Sequence, residues 1–364
     1  MEYYDDMPER LKILIISYYF PPSSAVGAVR ANALYKFLIK NGYHVDLLSF
    51  NENDIVKNEY KSNSNGLKLS HLFRSIDRTI LSSFVFSGIK KLDKSKGKYD
   101  LVISSYKPIA SIILGIYYKL TNKKSILFIE LRDLVSQFGR KRRIFPFHFL
   151  DSVIDRFFIS FADELIVVSP TSKKKAELFY KRKVNLILNG IDFKKNYYKE
   201  PSEKIRILYS GTLSEVRNLK LICSHINSSK KEIILTIASK QDPSNFYGDY
   251  KFINYIGFIS REKLDQEIKK SHFLLILEGF DKDSEENIPA KIFEYLGYNK
   301  PIMANCSPNS EIVKILNETG AGKNVNDYND FENFLSLKNF EINNKIKKYY
   351  RENQFKKYLE LIEK

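Results

Sequence analysis

The sequence predicts an α/β protein with two doubly wound parallel-sheet domains in series, and three observations predict it. The chain has 364 residues, too many for one ordinary core and suited to two domains of roughly 150–200 residues each. Short continuous apolar runs alternate with stretches of helical spacing, as expected of strands buried on both faces and joined by crossover helices. This alternation stops at the polar stretch KKNYYKEPSEK, residues 194–204, and then begins again.

The first strand is expected over 11–17 (LKILIIS), an apolar run with β-branched residues. A Pro/Ser/Gly loop follows, then Ala33, Leu34, Phe37 and Leu38 at helical spacing, Gly42 as a stop, and a second strand over 45–50. That is a βαβ unit. Further strand-like runs lie at 101–104, 126–130 and 164–168, and after the polar stretch at 205–209, 233–237 and 273–277. No fixed-period repeat is visible, so the expectation is two similar folds and not a solenoid. The domains are expected at 1–197 and 198–340, with a Lys/Tyr/Glu-rich helical tail, 341–364, packing back across the first.

Hydrophobic residues make up 43% of the chain and aromatics 14%, ample for compact cores. Cys223 and Cys306 are too few for a disulfide framework and lack zinc-site spacing, which fits a reducing, cytoplasmic setting. The N-terminal MEYYDDMPER does not read as a secretory signal. The most apolar stretch, 101–120, contains Lys107, Pro108 and several serines, so a strand and helix are expected there and not a membrane span. The net charge of +16 attracts anions. No zinc-finger spacing, RNA-recognition signature or basic heptad occurs, so nucleic acid is not the expected partner; nucleotide phosphate and anionic membrane are.

In open parallel sheets, ligands bind beyond the carboxyl ends of strands, where loops feed helix N-termini. Three such loops stand out. In the first, 18–30, Gly27 would permit close backbone approach and Arg30 could reach a phosphate; alone, a turn glycine is more often structural. In the second, Ser210, Gly211, Thr212 and Leu213 precede Arg217, a candidate diphosphate cation that could equally be solvated. In the third, 278–298, Pro289 opens a helix bearing Glu294 and Tyr295, and Glu286 and Glu294 could face one cleft. As bare carboxylates they read more readily as solvated charges.

The segment from Glu286 to Ile302, E-x7-E with P-A-K-I-F-E-Y-L-G-Y-N-K-P-I, closely resembles the donor motif of family-4 retaining glycosyltransferases. The likeness extends in order along nearly the whole chain: SYYFPPSSAVGAVRANAL, ELRDL, VVSPTS, LNGID and YSGTLSEVRNL. It implies a GT-B fold, two Rossmann-like domains facing a central cleft, with an N-terminal acceptor domain and a C-terminal nucleotide-sugar donor domain. It further implies that Glu294 binds the donor ribose, that Glu286 lies near the donor sugar, and that Asn287, Ile288, Pro289 and Lys291 hold the sugar and diphosphate. Family members often place an arginine and a lysine on the diphosphate after the glycine of the first strand of the second domain. Here those positions are Thr212 and Arg217, so one cation is absent and Arg217 carries more of the load. Arg132 and Asp133, in ELRDL, become candidates for donor or acceptor contacts.

The implied reaction moves a sugar with retention from a UDP- or GDP-linked donor to a glycan or lipid-linked acceptor, in cell-surface polysaccharide or lipopolysaccharide synthesis. Fixed cations and helix N–H groups would stabilise the leaving phosphate, so neither metal nor other cofactor is expected. The run GRKRRIFPFHFL joins Arg140, Lys141, Arg142 and Arg143 to Phe145 and Phe147, a combination suited to an anionic membrane; a basic loop beside a core helix is the alternative. A nucleotide-sugar epimerase of related fold and a binding protein without turnover are the competing functions.

Overall fold

The computed structural model describes residues 11–23, 26–50, 83–95, 97–106, 108–132, 147–195, 203–248, 250–337 and 340–364. The chain divides into two compact units, Met1–Leu188 with Phe355–Lys364, and Asn189–Gln354.

The first unit alternates β1 (Lys12–Ser17), α1 (Val26–Lys40), β2 (His44–Leu48), α2 (Ser83–Lys94), β3 (Leu101–Tyr106), α3 (Ile109–Thr121), β4 (Ile126–Leu131), α4 (Phe147–Ser160), β5 (Glu164–Val167), α5 (Pro170–Tyr180) and β6 (Asn185–Leu186). Its parallel sheet runs β2-β1-β3-β4-β5-β6, so strand order reverses between β1 and β3. β3 is buried at every position because helices cover both of its faces, which is why its sequence is a run and not an alternation. Gly115 lets α3 lie close to β3: a Cβ there would stand 2.1 Å from the Ser104 hydroxyl. The SPTS sequence starts α5, where Ser169 accepts the Ser172 N–H and Pro170 occupies the first turn.

The second unit contains β7 (Ile205–Ser210), α6 (Lys220–Ser228), β8 (Ile233–Ala238), α7 (Ser244–Tyr247), β9 (Ile253–Tyr255), α8 (Arg261–Lys270), β10 (Phe273–Leu277), α9 (Lys282–Glu285), α10 (Ala290–Gly297), β11 (Ile302–Asn305), α11 (Glu311–Thr319), β12 (Gly322–Asn324) and α12 (Tyr328–Leu335). Its parallel sheet runs β12-β11-β10-β7-β8-β9, reversing between β7 and β10. This is the dinucleotide-fold strand order, and the first unit follows the flavodoxin-like order.

The division falls earlier than residue 197. The Ile191 N–H donates to the Tyr349 carbonyl at 2.8 Å, Arg351 N–H to Ile191 O at 3.0 Å, and Lys195 N–H to Gly297 O at 2.7 Å. These bonds join the segment after Leu188 to the second unit, together with the part of the tail before residue 355. The last helix, α13 (Arg351–Ile362), contributes Phe355 and Tyr358 to the core of the first unit, with Ile13, Phe37 and Ile166.

Tyr358 also completes a buried polar cluster. Arg30 donates from Nε to Glu130 at 2.9 Å, from Nη1 to Leu188 O at 2.8 Å, and from Nη2 to Ile187 O at 3.0 Å and to the Tyr358 hydroxyl at 3.3 Å. Tyr358 and Ser105 in turn donate to Glu130. Arg30 is only 2% exposed, which corrects the expectation that it reaches a phosphate: its donors are spent inside the unit. Burial alone would raise the Glu130 carboxyl, but the Arg30 charge, the Tyr358 hydrogen bond and the Arg132 charge hold it below the usual carboxylate range.

With its folded value below the unfolded one, Glu130 contributes stability that is present above the ordinary carboxylate range and is lost as pH falls through the lowered value. Arg30→Leu leaves the carboxylate buried and unpaired and should cost about 3–5 kcal/mol at pH 7. In urea denaturation that loss should shrink at pH 5, where the variant's raised carboxyl takes up a proton; equal losses at both pH values would contradict the pairing.

Candidate functional site

Arg217, Glu278 and Lys291 gather beyond the ends of β7 and β10, which run side by side. β7 ends at Ser210 and the chain turns through Gly211, whose φ of +143° is a conformation that side-chain-bearing residues rarely adopt. β10 ends at Leu277 and is followed by Glu278, 1% exposed. Arg217, on the loop after β7, donates to Glu278 Oε2 from Nη2 at 2.9 Å and from Nε at 3.2 Å, and the Asn287 amide donates to the same oxygen at 2.8 Å.

α10 is docked against the end of β7 through its Tyr295. The phenol, fully buried, accepts the Ser210 N–H at 3.2 Å and shares a hydrogen bond with the Ser210 hydroxyl at 3.1 Å. One turn earlier on the same helix face, Lys291 Nζ donates to the Ser210 carbonyl at 2.9 Å and stands 4.5 Å from the centroid of the Tyr209 ring. A Cβ at residue 211 would come within 2.6 Å of that ammonium, so the glycine serves the close approach as well as the turn. Burial, reinforced by the Arg217 charge, pushes the Lys291 ammonium down to about 8 against the opposing pull of Glu278 and Glu294.

Glu294, half-buried on α10, accepts from Arg261 Nη1 at 2.5 Å, and Arg261 Nη2 donates to the Tyr298 hydroxyl at 3.4 Å. Arg261 opens α8, which Ser260 caps by accepting the Lys263 N–H. The helix in PAKIFEYLGY thus divides its residues: Ile292, Phe293, Tyr295, Leu296 and Tyr298 are buried, while Lys291 and Glu294 remain partly open.

The structure therefore brings together Gly211, Arg217, Asn287 and Lys291, with Glu294 on the same helix as Lys291. Glu286, Ile288 and Pro289 are half-buried on the segment leading into α10, and Pro289 is its N-cap. Thr212 is exposed, and its carbonyl accepts the Tyr209 hydroxyl at 2.8 Å. In the first unit, Gly27 is paired with Arg132 and not with an open loop: a Cβ at residue 27 would lie 1.5 Å from Arg132 Nη1, and Arg132 Nε donates to Tyr106 O at 2.6 Å. Asp133, Arg140, Lys141, Arg142, Arg143 and Phe145 lie outside the described residues, as does the side chain of Phe147.

Sequence reasoning missed Glu278 and Arg261. A carboxylate ending the apolar run FLLIL was a readable signal for the first; nothing local marks the second, which matters only because α8 and α10 are adjacent to one another through its bonds. Among the described residues no group of three or more His, Cys, Asp or Glu could hold a metal ion.

No protein-family model matches the chain, and no curated protein matches it in sequence. Solved structures do match along nearly its whole length. The lipopolysaccharide outer core galactosyltransferase WaaB, in its apo form, superposes with a TM-score of 0.65 at 16% identity, covering 97% of this chain and 99% of that one. The catalytic domain of Starch Synthase IV from Arabidopsis thaliana, bound to ADP and acarbose, gives 0.60 at 13% identity, covering 97% and 99%. Anabaena Alr3699/HepE, in complex with UDP and glucose, gives 0.56 at 13% identity, covering 97% and 95%. The chain has the GT-B fold. Its two Rossmann-like units each offer the carboxyl ends of a parallel sheet at a strand-order reversal, the position at which open α/β sheets bind ligands.

Gly211→Ala should lower stability by about 1–3 kcal/mol through its strained φ, measured by urea denaturation. Thr212→Ala, at the exposed neighbouring position, should change it by less than about 0.5 kcal/mol. Equal effects would show that the turn does not require glycine.

Proposed function

We propose that this protein is a glycosyltransferase of the retaining, family-4 type, moving a sugar from a nucleotide-linked donor to a glycan or lipid-linked acceptor. The observation that supports it most is the gathering of Arg217, Lys291 and the start of α10 around the Gly211 turn, at the strand-order reversal of the second unit. Two of the similar GT-B structures hold UDP and ADP, which supports a nucleotide-bearing donor here.

The chemistry follows from the charges. As the bond from the anomeric carbon to the diphosphate oxygen breaks, its electron pair stays on that oxygen. Arg217 and the N–H groups at the start of α10 stabilise the developing charge. The acceptor hydroxyl forms the new bond from the same face, and its proton passes to the leaving phosphate, which leaves the anomeric configuration unchanged. Glu294 takes the ribose hydroxyls, exchanging part of its bond to Arg261 for them, and Glu286 and Asn287 contact the donor sugar. Synthesis of cell-surface polysaccharide or lipopolysaccharide is the setting we infer, and a UDP- or GDP-sugar the donor.

An anionic membrane is the proposed second partner. The run from Arg140 to Arg143 precedes α4, which exposes Val153 and Phe157 one turn apart, at 47% and 58%. A cation cluster followed in the sequence by exposed apolar side chains suits a headgroup interface. No helix among the described residues is long and apolar enough to cross a membrane.

Calorimetric titration with free nucleoside diphosphates tests the donor reading. Glu294→Ala should weaken binding by about one to two orders of magnitude, the loss of a charged hydrogen bond of about 1.5–3 kcal/mol. Circular dichroism should stay unchanged, and Glu286→Ala should impair transfer more than nucleotide binding. A folded Glu294→Ala protein that binds as tightly as the parent would overturn the ribose assignment, and donor turnover without acceptor would instead indicate an epimerase.

Replacing Arg140, Lys141, Arg142 and Arg143 by neutral residues should release the protein from phosphatidylserine-containing liposomes, each cation near such a surface being worth about 1 kcal/mol. Unchanged co-sedimentation would rule out this docking face.

A further inference from the structure

A carboxylate repels a diphosphate, yet the buried Glu278 is bonded to two of the groups assigned to the donor. Its Oε2 accepts from Arg217 Nε at 3.2 Å, from Arg217 Nη2 at 2.9 Å and from Asn287 Nδ2 at 2.8 Å, while Oε1 accepts the Gly279 N–H at 3.3 Å. Arg217 arrives on the loop after β7 and Asn287 on the approach to α10, so one oxygen joins two separate segments. The backbone beneath is fixed as well: Glu278 N–H donates to Asn305 O at 3.1 Å, and a Cβ at residue 279 would stand 2.6 Å from Val216 Cγ1. The loops after β7 and β10 therefore touch one residue away from each partner of the ion pair.

A guanidinium is planar, and two bonds from its Nε and Nη2 to one oxygen fix both that plane and the edge left over. Arg217 Nη1 makes no hydrogen bond to another described residue, and the Asn287 amide oxygen accepts none. We infer that Glu278 is a positioning residue for the donor: it presents the Nη1 edge of Arg217 to the diphosphate and the amide oxygen of Asn287 to the sugar. The inference rests on the donor-site reading above and adds to it a residue that does not itself touch the donor.

This role sets a sign that Coulomb attraction alone would reverse. A buried negative charge near an incoming diphosphate opposes its binding. If Glu278 only balanced charge, replacing it by Gln would tighten the diphosphate. Because it holds Arg217, the same replacement weakens binding: a Gln oxygen accepts more weakly from the guanidinium, and its NH2 sets donor against donor toward Asn287 or Gly279.

The test is calorimetric titration of the whole chain with UDP, GDP and ADP, using the tightest-binding diphosphate and its parent nucleoside for the variants and circular dichroism to confirm folding. These diphosphates carry no sugar for Asn287, so the titration reads the hold on Arg217. Glu278→Gln should lose about tenfold or more for the diphosphate and stay within about twofold of wild type for the nucleoside. Glu278→Asp keeps the charge inside the unit but withdraws the carboxylate by one methylene, and it should lose at least about threefold for the diphosphate. In an Arg217→Ala background the Gln replacement should no longer weaken binding. With no guanidinium to hold, removing the carboxylate leaves affinity unchanged or raises it.

If folded Glu278→Gln binds the diphosphate as tightly as wild type, or more tightly, Glu278 only balances charge and the inference is overturned while the donor site stands. An equal loss in the wild-type and Arg217→Ala backgrounds overturns it too, since the carboxylate would then act other than through Arg217. Should Glu278→Gln not fold, Glu278→Asp decides by the same measure. If none of the three diphosphates binds wild-type protein, the donor reading and this inference fall together.

Discussion

Ser210, the last residue of β7, gives its N–H and hydroxyl to hydrogen bonds with Tyr295 and its carbonyl to one with Lys291. A parallel strand that ends at a sheet's reversal point leaves its terminal peptide groups without a ladder partner, and buried peptide groups must be satisfied. Here α10 satisfies them. That requirement sets the depth and rotation of α10, and with them the positions of the Lys291 ammonium, the Glu294 carboxylate and the helix N-terminus. Gly211 follows from the same constraint, since any Cβ would occupy the space of the ammonium.

A comparable constraint organises the first unit. The Arg30–Glu130 pair is buried, so the desolvation of both ions must be offset by close geometry and by further hydrogen bonds. Ser105, Tyr358 and the carbonyls of Ile187 and Leu188 supply them. Because Tyr358 sits on α13 and the carbonyls follow β6, the cluster fixes where the chain leaves the unit and where it returns. The ELRDL segment thus begins with a carboxylate committed to the interior, and Arg132 beside it is held against Gly27 and the Tyr106 carbonyl.

Much of the fold was legible in the sequence, because strands buried on both faces write themselves as apolar runs. Runs at β1, β3, β4, β5, β7, β8 and β10 lie within a residue or two of the observed strands. The edge strands β6, β9 and β12, two or three residues long, went unread: Asn185–Leu186, Ile253–Tyr255 and Gly322–Asn324 are too short to show a period and are half-exposed or exposed. The boundary near residue 197 was misread for a related reason. Composition marks where a chain is polar, whereas the division depends on which backbone groups pair, and Ile191 pairs with Tyr349 and Arg351 far along the sequence.

For the site, the sequence by itself determined the position of the glycine turn after β7, the helix start at Pro289, and a supply of cations and carboxylates near both. It could not assign those charges, because an ion's availability depends on its neighbours in space. Arg30 and Arg217 each follow a strand-end loop and look alike in the chain, yet Glu130, one hundred residues from Arg30 in sequence, consumes the first, and Glu278 shares only part of the second, which stays 29% exposed. Lys291 looks like an ordinary helix-surface lysine until α10 is docked on Ser210. Only the tertiary structure decided that its ammonium lies desolvated beside a second cation, because desolvation and Coulomb interaction act through space and leave no local mark in the sequence.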